Sequence, residues 1–210
     1  MRTSLLILCI VALAGCPDPA KDKTKATVAP ATKTTVAALA DLPPLANATA
    51  FTFSSEGSTI VFTGAKVTGK HDGGFKAFKG ALEVVENDLS KSRVRVDLEM
   101  SSVFSDAEKL TGHLKSPDFF GVEQFPVTRF VSTSLKKADG ARYDVTGDLT
   151  LHGVTKSISF PADITLTDAG ADVTAEFALN RKDFGIVYPG KPDDLIADNV
   201  LLKLSVHAKK

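Results

Sequence analysis

Hydrophobic and polar residues alternate along most of the chain that follows Phe51. In residues 92–100, SRVRVDLEM, the two valines, the leucine and the methionine fall on one face, and the charged residues fall on the other. Residues 157–166, SISFPADITL, repeat this pattern, with Pro161 on the polar face. A period of two predicts half-buried antiparallel strands, and the missing N–H of Pro161 predicts a bend or an edge there.

Six further segments have the composition of strands and are separated by turn residues such as Ala138-Asp139-Gly140: 59–66, 80–86, 127–135, 142–151, 172–179 and 200–208. The chain therefore carries about eight strands. Helical crossovers of the kind that connect parallel strands do not occur between them. We predict an all-β fold, either an antiparallel barrel or a sandwich.

Residues 105–126 interrupt the alternation and predict a broken helix. Ser105-Asp106-Ala107-Glu108 has the spacing of a capping box, which favours a helix start. Leu110 and Leu114 would then share one face. Ser116-Pro117 predicts the end of the helix, because the residue before a proline avoids the α region.

Three phenylalanines of this segment, Phe119, Phe120 and Phe125, require an apolar environment. We expect the segment to cover one mouth of a barrel, where each large side chain would contribute roughly 2 kcal/mol by burial. Two alternatives stay open. The segment could lie on a membrane, or His113 within it could take part in catalysis.

The first 16 residues, MRTSLLILCIVALAGC, combine one positive charge with an apolar run that is too short to span a bilayer as a helix. This is the pattern of an export signal. It ends in Leu13-Ala14-Gly15-Cys16, which resembles the lipobox of bacterial lipoproteins. We predict a signal peptide over residues 1–15 and acylation of Cys16, with a simple signal peptide as the alternative. A mature chain without Cys9 would form no internal disulfide.

Residues 17–49 are rich in Ala, Thr, Pro and Lys and contain no aromatic residue. Together with Cys16 they predict a flexible tether, residues 16–49, with a reach of roughly 30 Å. An acylated Cys16 on such a tether would hold the folded domain, residues 50–210, at the bacterial cell envelope, on the periplasmic or the cell-surface side.

Charge and composition narrow the function classes. Lys and Arg together number 25, as do Asp and Glu, so the formal net charge is zero. This balance argues against a nucleic-acid partner, which requires a basic surface. A hydrophobic content of 43% is ordinary for a globular domain.

The candidate chemistry is sparse. None of the four histidines, His71, His113, His152 and His207, is spaced for a shared zinc site, so we predict no metal. No nucleotide-binding or hydrolase motif occurs, and we predict no cofactor and no catalytic residues. Arg181 and Asp183 could form a structural pair or meet a polar lipid head group.

Four motifs resemble the YceI-like proteins, and they occur in that family's order: STIVFTGAKVTGKHDGGF at 58–75, HLKSPDFF at 113–120 followed by Phe125-Pro126, GDLTLHGVTK at 147–156, and LNRKDFGI at 179–186. The resemblance runs through residues 51–208. It implies an exported, lipocalin-like up-and-down barrel of about eight strands with a short helical insertion near one mouth. It also implies a polyisoprenoid lipid inside the barrel.

Inward-facing residues of the strands and two phenylalanines of the insertion are the predicted ligand contacts: Val96, Leu98, Met100, Phe119, Phe120, Phe130, Leu149, Phe160, Ile164 and Phe177. Ordinary core packing is an equal alternative for each, because a barrel of about eight strands is either filled by side chains or holds one small ligand.

Three hypotheses follow for the function. The first is a non-enzymatic, membrane-tethered protein that carries an isoprenoid or another long-chain lipid. The second is an enzyme acting on a lipid or quinone, with His113 or His152 as acid or base. The third is a structural envelope protein with a packed core. The membrane and a second copy of the chain are further candidate partners.

Overall fold

The computed structural model describes residues 17–31 and 42–210. Its strands are β1 (Thr27–Pro30), β2 (Ala48–Ser54), β3 (Thr59–Lys66), β4 (Gly69–Phe75), β5 (Phe78–Val85), β6 (Asp88–Glu99), β7 (Val103–Ser105), β8 (Val127–Lys137), β9 (Arg142–Leu151), β10 (Val154–Leu166), β11 (Gly170–Asn180), β12 (Gly190–Lys191), β13 (Asp194–Leu195) and β14 (Asn199–Lys209). One helix, α1 (Glu108–Lys115), and two 3-10 turns, Met100–Ser102 and Arg181–Phe184, complete the described elements.

Eight long strands form a closed antiparallel barrel. β2 with β3, β4 with β5, and β6 with β7 each form one interrupted strand of the barrel, and these three strands pair with one another. β8, β9, β10 and β11 follow in chain order, and β14 closes the ring with Leu201 opposite Thr63 and Lys209 opposite Thr52. The predicted all-β fold is therefore confirmed, and the barrel decides between the two architectures that the alternation left open.

The two ends of the barrel differ in the length of their connections. One end, the closed end, has three short turns, at 86–87, 138–141 and 167–169. The other end, the mouth end, has turns at 67–68 and 152–153 and two long connections, 106–126 and 181–198. The broken helix predicted between strands thus lies at the mouth end, with α1 ending before Ser116 as expected.

The helix start differs from the capping-box prediction. Ala107 is the N-cap of α1, and no side chain caps the helix there. Ser105 belongs to β7, where its hydroxyl donates to the Ala107 carbonyl and lies 3.0 Å from the hydroxyl of Thr111. Ser105 therefore contacts the start of α1 from its place in β7, but it does not cap the helix.

The wall between β10 and β11 contains an additional strand. These two strands pair only from Asp163 opposite Thr174 to Leu166 opposite Ala171, which is the closed-end half. On the mouth side of Pro161 the two strands separate, and β1 lies between them. β1 is antiparallel to β10, with Thr27 opposite Ser159.

Backbone hydrogen bonds also join this segment to β11. The Ala26 N–H donates to the Ala178 carbonyl over 2.8 Å, and the Ala178 N–H donates to the Thr24 carbonyl over 2.9 Å. Ala26 and Val28 pack against the main apolar core. β1 therefore satisfies the backbone groups that the separation of β10 and β11 would leave without partners.

The structure differs here from the predicted flexible tether. Ala20 is fully buried outside the barrel against Ala178 and Leu201, and Lys23 forms an ion pair with Glu176. Further along the chain, Arg93 and Arg95 donate to the carbonyls of Pro43 and Leu42. The described parts of the segment therefore lie on the barrel. Residues 1–15, Cys16 and residues 32–41 lie outside the described residues.

Buried apolar side chains fill the closed end. The strand segments nearest the short turns contribute Leu82, Val84, Leu135, Val145 and Ile164 to one core, each less than 5% exposed. The apolar cavity of the barrel lies instead toward the mouth end, where α1 and the two long connections contribute to its lining. Among residues 17–31 and 42–210, no helix has the length and apolar character that crossing a membrane requires.

Candidate functional site

The mouth half of the barrel encloses an apolar cavity of about 370 Å³. This volume lies within the range of roughly 300–1,000 Å³ that is usual for small-molecule sites. Side chains from the barrel wall, from α1 and from the two long connections line it. Nearly all of them are aliphatic or aromatic, so the cavity suits an apolar ligand.

Nine of the ten predicted contact residues line this cavity: Val96, Leu98, Met100, Phe119, Phe120, Phe130, Leu149, Phe160 and Phe177. The tenth, Ile164, is buried in the filled closed end instead. Alternation identifies the inward face of a strand, but it does not give the height of a residue along the barrel axis. Whether the nine residues contact a ligand remains a prediction.

The cavity is also lined by residues that were not among the predicted ligand contacts: Ile60, Phe62, Phe75, Leu110, Leu114, Leu151, Ile158, Leu179, Ile186, Ile196, Val200, Leu202 and Leu204. The signal was present for β14, where Val200, Leu202 and Leu204 alternate with other residues. No periodicity marks Ile186 and Ile196, because they belong to the irregular connection between β11 and β14.

Two groups of aromatic rings shape the cavity wall. Phe160 stacks on Phe177 with ring centroids 4.2 Å apart, and Phe130 packs 5.8 Å from Phe160. Across the cavity, Phe75 lies 6.0 Å from both Phe62 and Phe120. Phe120 thereby joins the insertion to the wall formed by β3 and β4.

The insertion covers the mouth, as predicted. Leu114 and Phe119 are buried, and the Phe120 N–H donates to the Leu114 carbonyl over 3.0 Å. The ring of Phe119 packs 5.4 Å from Tyr188 of the connection between β11 and β14. The two long connections therefore meet over the cavity.

Polar groups that line the cavity lie mainly near the mouth end of the barrel. Lys66 bonds to Asp194 at 2.5 Å, and Asp194 also accepts from the N–H and the hydroxyl of Thr68. The hydrogen bond from Lys66, with those from Thr68, lowers the pKa of Asp194 below its usual value. This bonding fastens the β12–β13 hairpin to the end of β3.

A second polar contact at the mouth end joins β4 to the start of the insertion. The Nδ1 atom of His71 lies 2.8 Å from Asp106, which also accepts from the Asp72 N–H. Partial burial raises the pKa of Asp106, but the hydrogen bonds from His71 and from the Asp72 N–H outweigh that effect and lower it.

Arg181 is a buried cation beside the cavity. Its guanidinium donates to three backbone carbonyls, those of Ala197, Ile186 and Ile196, over 3.0, 2.7 and 3.3 Å. Burial lowers the pKa of this group. Its acidic neighbour is Asp198, at 3.8 Å, rather than the predicted Asp183. Arg181 therefore organises the connection that closes the mouth.

Thr128 is a polar residue of the cavity wall, and it is 5% exposed. Its hydroxyl is the one buried side-chain polar atom without a hydrogen-bond partner in the described chain. An unsatisfied buried hydroxyl costs about 1–3 kcal/mol.

The two histidines considered for catalysis contact residues of the two long connections that cover the mouth. His113 Nε2 lies 2.9 Å from Asp118, and its ring packs on Phe119 and Tyr188. His152 packs on Phe125, with Nδ1 3.3 Å from the Phe184 carbonyl. Neither is among the described residues that line the cavity. The described chain also contains no group of three His, Cys, Asp or Glu residues that could hold a metal ion.

Known proteins resemble this chain in sequence and in fold. A family model described as the YceI-like domain matches residues 51–208. A UPF0312 protein of Pseudomonas putida is 39% identical over 126 residues, which is 56% of this chain and 65% of the relative's length. The match to that relative therefore spans just under two thirds of it.

Two solved structures share the fold. BcnA of Burkholderia cenocepacia has a TM-score of 0.68 and 19% identity, and the match covers 75% of this chain and 99% of BcnA. A polyisoprenoid binding domain from Saccharophagus degradans, implicated in plant cell wall breakdown, has a TM-score of 0.61 and 14% identity, with 76% and 97% of the two chains covered.

Proposed function

The chain belongs to the YceI-like family, and from this premise we propose that its cavity binds one long apolar lipid chain, such as a polyisoprenoid or an isoprenoid quinone. The apolar cavity of about 370 Å³ carries this proposal. A packed-core structural protein would have no need of such a volume, because protein interiors are otherwise close-packed. The polyisoprenoid binding domain from Saccharophagus degradans, which shares the fold, supports the choice of lipid.

The cavity does not extend through the closed end of the barrel. Side chains fill the closed end, so a chain that enters at the mouth end must fold back or protrude. The aromatic wall around Phe160 and Phe177 offers a large, rigid apolar surface to such a chain. We expect the ligand to lie against this wall, with its polar end toward the rim.

Binding, rather than catalysis, is the proposed activity. Acid–base catalysis requires a titratable group within hydrogen-bond reach of the reacting atom. His71, the histidine that lines the cavity, bonds to Asp106. His113 bonds to Asp118, and His152 lies beside the Phe184 carbonyl, so both contact the connections that cover the mouth. A lipid carrier needs only an apolar cavity and an entrance for the ligand.

We further propose that the protein is exported and anchored in the cell envelope through an acylated Cys16. The support is the sequence Leu13-Ala14-Gly15-Cys16 after an apolar run. Two or more acyl chains on one residue give stable attachment, whereas one gives only marginal attachment. A Cys16→Ser variant should move from the membrane fraction to the soluble fraction, and the intact mass of the wild-type protein should include the acyl groups.

Native mass spectrometry of the full chain, produced in a bacterium and extracted in mild detergent, tests the lipid proposal. We expect a bound species of discrete mass. Leu149→Trp, which fills part of the cavity, should lose it, and Val127→Trp, at an exposed position, should retain it. A folded wild-type protein with no bound lipid, or a Leu149→Trp variant that still binds it, would contradict the proposal.

A further inference from the structure

Exposed apolar side chains are concentrated around the mouth. The described chain has four large hydrophobic residues with high exposure, and three of them, Val67, Val187 and Leu195, belong to the mouth-end connections. Their exposed fractions are 54%, 61% and 51%. We call these three residues the rim.

The rim continues the cavity surface to the outside. Val67 follows Lys66, Val187 follows Ile186, and Leu195 precedes Ile196; each of these neighbours lines the cavity. The Val67 N–H donates to the Leu195 carbonyl over 3.2 Å, so the backbones of these two rim residues are adjacent. Apolar residues at the edge of an apolar cavity are typical of a surface that contacts a membrane or another apolar partner.

The start of the described chain lies near the same end of the barrel. Ala20 is fully buried against Ala178 and Leu201. Ala178 is two residues from the mouth-side end of β11, and Leu201 is two residues from the mouth-side start of β14. The four chain steps from Ala20 to Cys16 span at most about 14 Å. An anchor on Cys16 would therefore be joined to Ala20 by a short connection.

We propose that the rim docks on the bilayer in which an acylated Cys16 is anchored, so that the mouth of the cavity faces the lipid phase. This inference rests on the proposed function, because it takes Cys16 as acylated and the ligand as a membrane lipid. It adds the orientation of the barrel and the route of the ligand, which passes from the bilayer over Val67 and Leu195 into the cavity.

Charges near the rim point to contact with hydrocarbon rather than with anionic head groups. The segments 66–72 and 187–195 together contain three lysines and three aspartates. A balanced set gives little attraction to a negative surface. Three small apolar side chains bind weakly by themselves, and anchoring of Cys16 supplies the high local concentration that a weak contact needs. We expect docking to be insensitive to salt and to lipid charge.

The chain contains no tryptophan, so a single introduced one reports on its own surroundings. The test places the acylated full chain in phosphatidylcholine vesicles whose acyl chains are brominated and therefore quench nearby indoles. Leu195→Trp is the rim reporter. Ala138→Trp is the matched control, because Ala138 is exposed in a turn at the closed end.

We expect a blue shift and strong quenching of the tryptophan at position 195, unchanged at high salt, and neither effect at position 138. Quenching at position 138 alone, at both positions or at neither position would overturn the docking inference. The mass of the co-purified lipid is measured on the same samples. A protein that carries lipid but shows no quenching at position 195 refutes the inference and leaves the proposed function intact. Quenching at position 195 without bound lipid refutes the proposed function and the route of the ligand, and it supports only the orientation of the barrel.

Discussion

Phe160 and Phe177 lie face to face, with ring centroids 4.2 Å apart and an angle of 15° between the ring planes. Phe160 lies on β10 and Phe177 on β11, three residues toward the mouth from the last pair that joins these strands, Asp163 and Thr174. The stack therefore bridges the wall where the two strands separate, and it also forms part of the cavity surface.

Replacement of Phe177 by alanine should remove both contributions. Phe177 is 2% exposed, and a buried Phe→Ala change costs about 3–5 kcal/mol. We expect a loss of this size in the free energy of unfolding, measured by urea denaturation. Phe177→Leu, which keeps most of the apolar volume, should cost under about 1.5 kcal/mol. Equal losses for the two variants would argue against a packing role for the ring.

Thr128→Val should stabilise the protein. Valine has nearly the same shape, and the change removes the hydroxyl that lacks a hydrogen-bond partner in the cavity wall. We expect the free energy of unfolding to rise by about 1 kcal/mol. The same change at Thr150, which is also buried but whose hydroxyl lies 2.9 Å from that of Thr155, should instead lower it. Destabilisation by Thr128→Val would show that the hydroxyl has a partner, such as a bound ligand.

Gly153→Ala tests the contact between Phe125 of the insertion and the turn that joins β9 and β10. Gly153 has a φ of +74°, and an added Cβ would lie 2.4 Å from the ring of Phe125. Gly140 is the matched control, with a φ of +61° and open space around the site of a Cβ. Both variants pay the cost of positive φ, and Gly153→Ala should lose a further 1–3 kcal/mol or so from overpacking. Similar melting temperatures would show that Phe125 moves freely away.

Ala20→Arg should detach the N-terminal segment from the barrel. The side chain of Ala20 is enclosed by Ala178 and Leu201, so an arginine cannot fit without separating them. We expect faster hydrogen exchange at Ala26 and Ala178, whose amides bond across the junction of the segment with β11. Ala29→Arg, on the exposed side of β1, should leave these rates unchanged.

The hydrogen bond between Lys66 and Asp194 at the mouth end should depend on pH. The pKa of Asp194 is lowered in the folded protein, from an ordinary value of 3.8. A carboxylate of this kind stabilises the fold above its unfolded pKa and loses that contribution as the pH falls through its folded pKa. Asp194→Asn should therefore reduce stability at pH 7, and its difference from wild type should disappear below the folded pKa.

Asp193→Asn serves as the control for this titration, because its neighbour Asp194, rather than Asp193, bonds to Lys66 and Thr68. The measurement is chemical denaturation of the three proteins from neutral to strongly acidic pH. A difference between Asp194→Asn and wild type that persists unchanged at the lowest pH would show that the effect of the substitution is not electrostatic.

Alternation in the sequence was sufficient to predict antiparallel strands and most of their inward-facing residues, but it did not distinguish a barrel from a sandwich. β3 and β9 have the bounds predicted for them. β4, with the sequence GKHDGGF, was missed because glycines replace the side chains that would show a period of two. Ile164 was assigned to the correct face, and it lies in the filled closed end, since the period of a strand contains no information about which end of a barrel is filled.

The N-terminal strand could not be predicted from its sequence, because it pairs within a gap that exists only in the folded barrel. Thr27–Pro30 has only four residues and ends in proline, which is typical of a linker. Its partners are open backbone groups of β10 and β11. Such tertiary context overrides local propensity.

The position of β1 also has a consequence for the order of folding. This segment is among the first parts of the chain to be synthesised, but its partners Ser159 and Ala178 come after most of the barrel sequence. Contacts between residues so distant along the chain form slowly, because loop closure must precede them. We therefore expect the N-terminal strand to pair only after β10 and β11 have formed, so that its addition is a late step in folding.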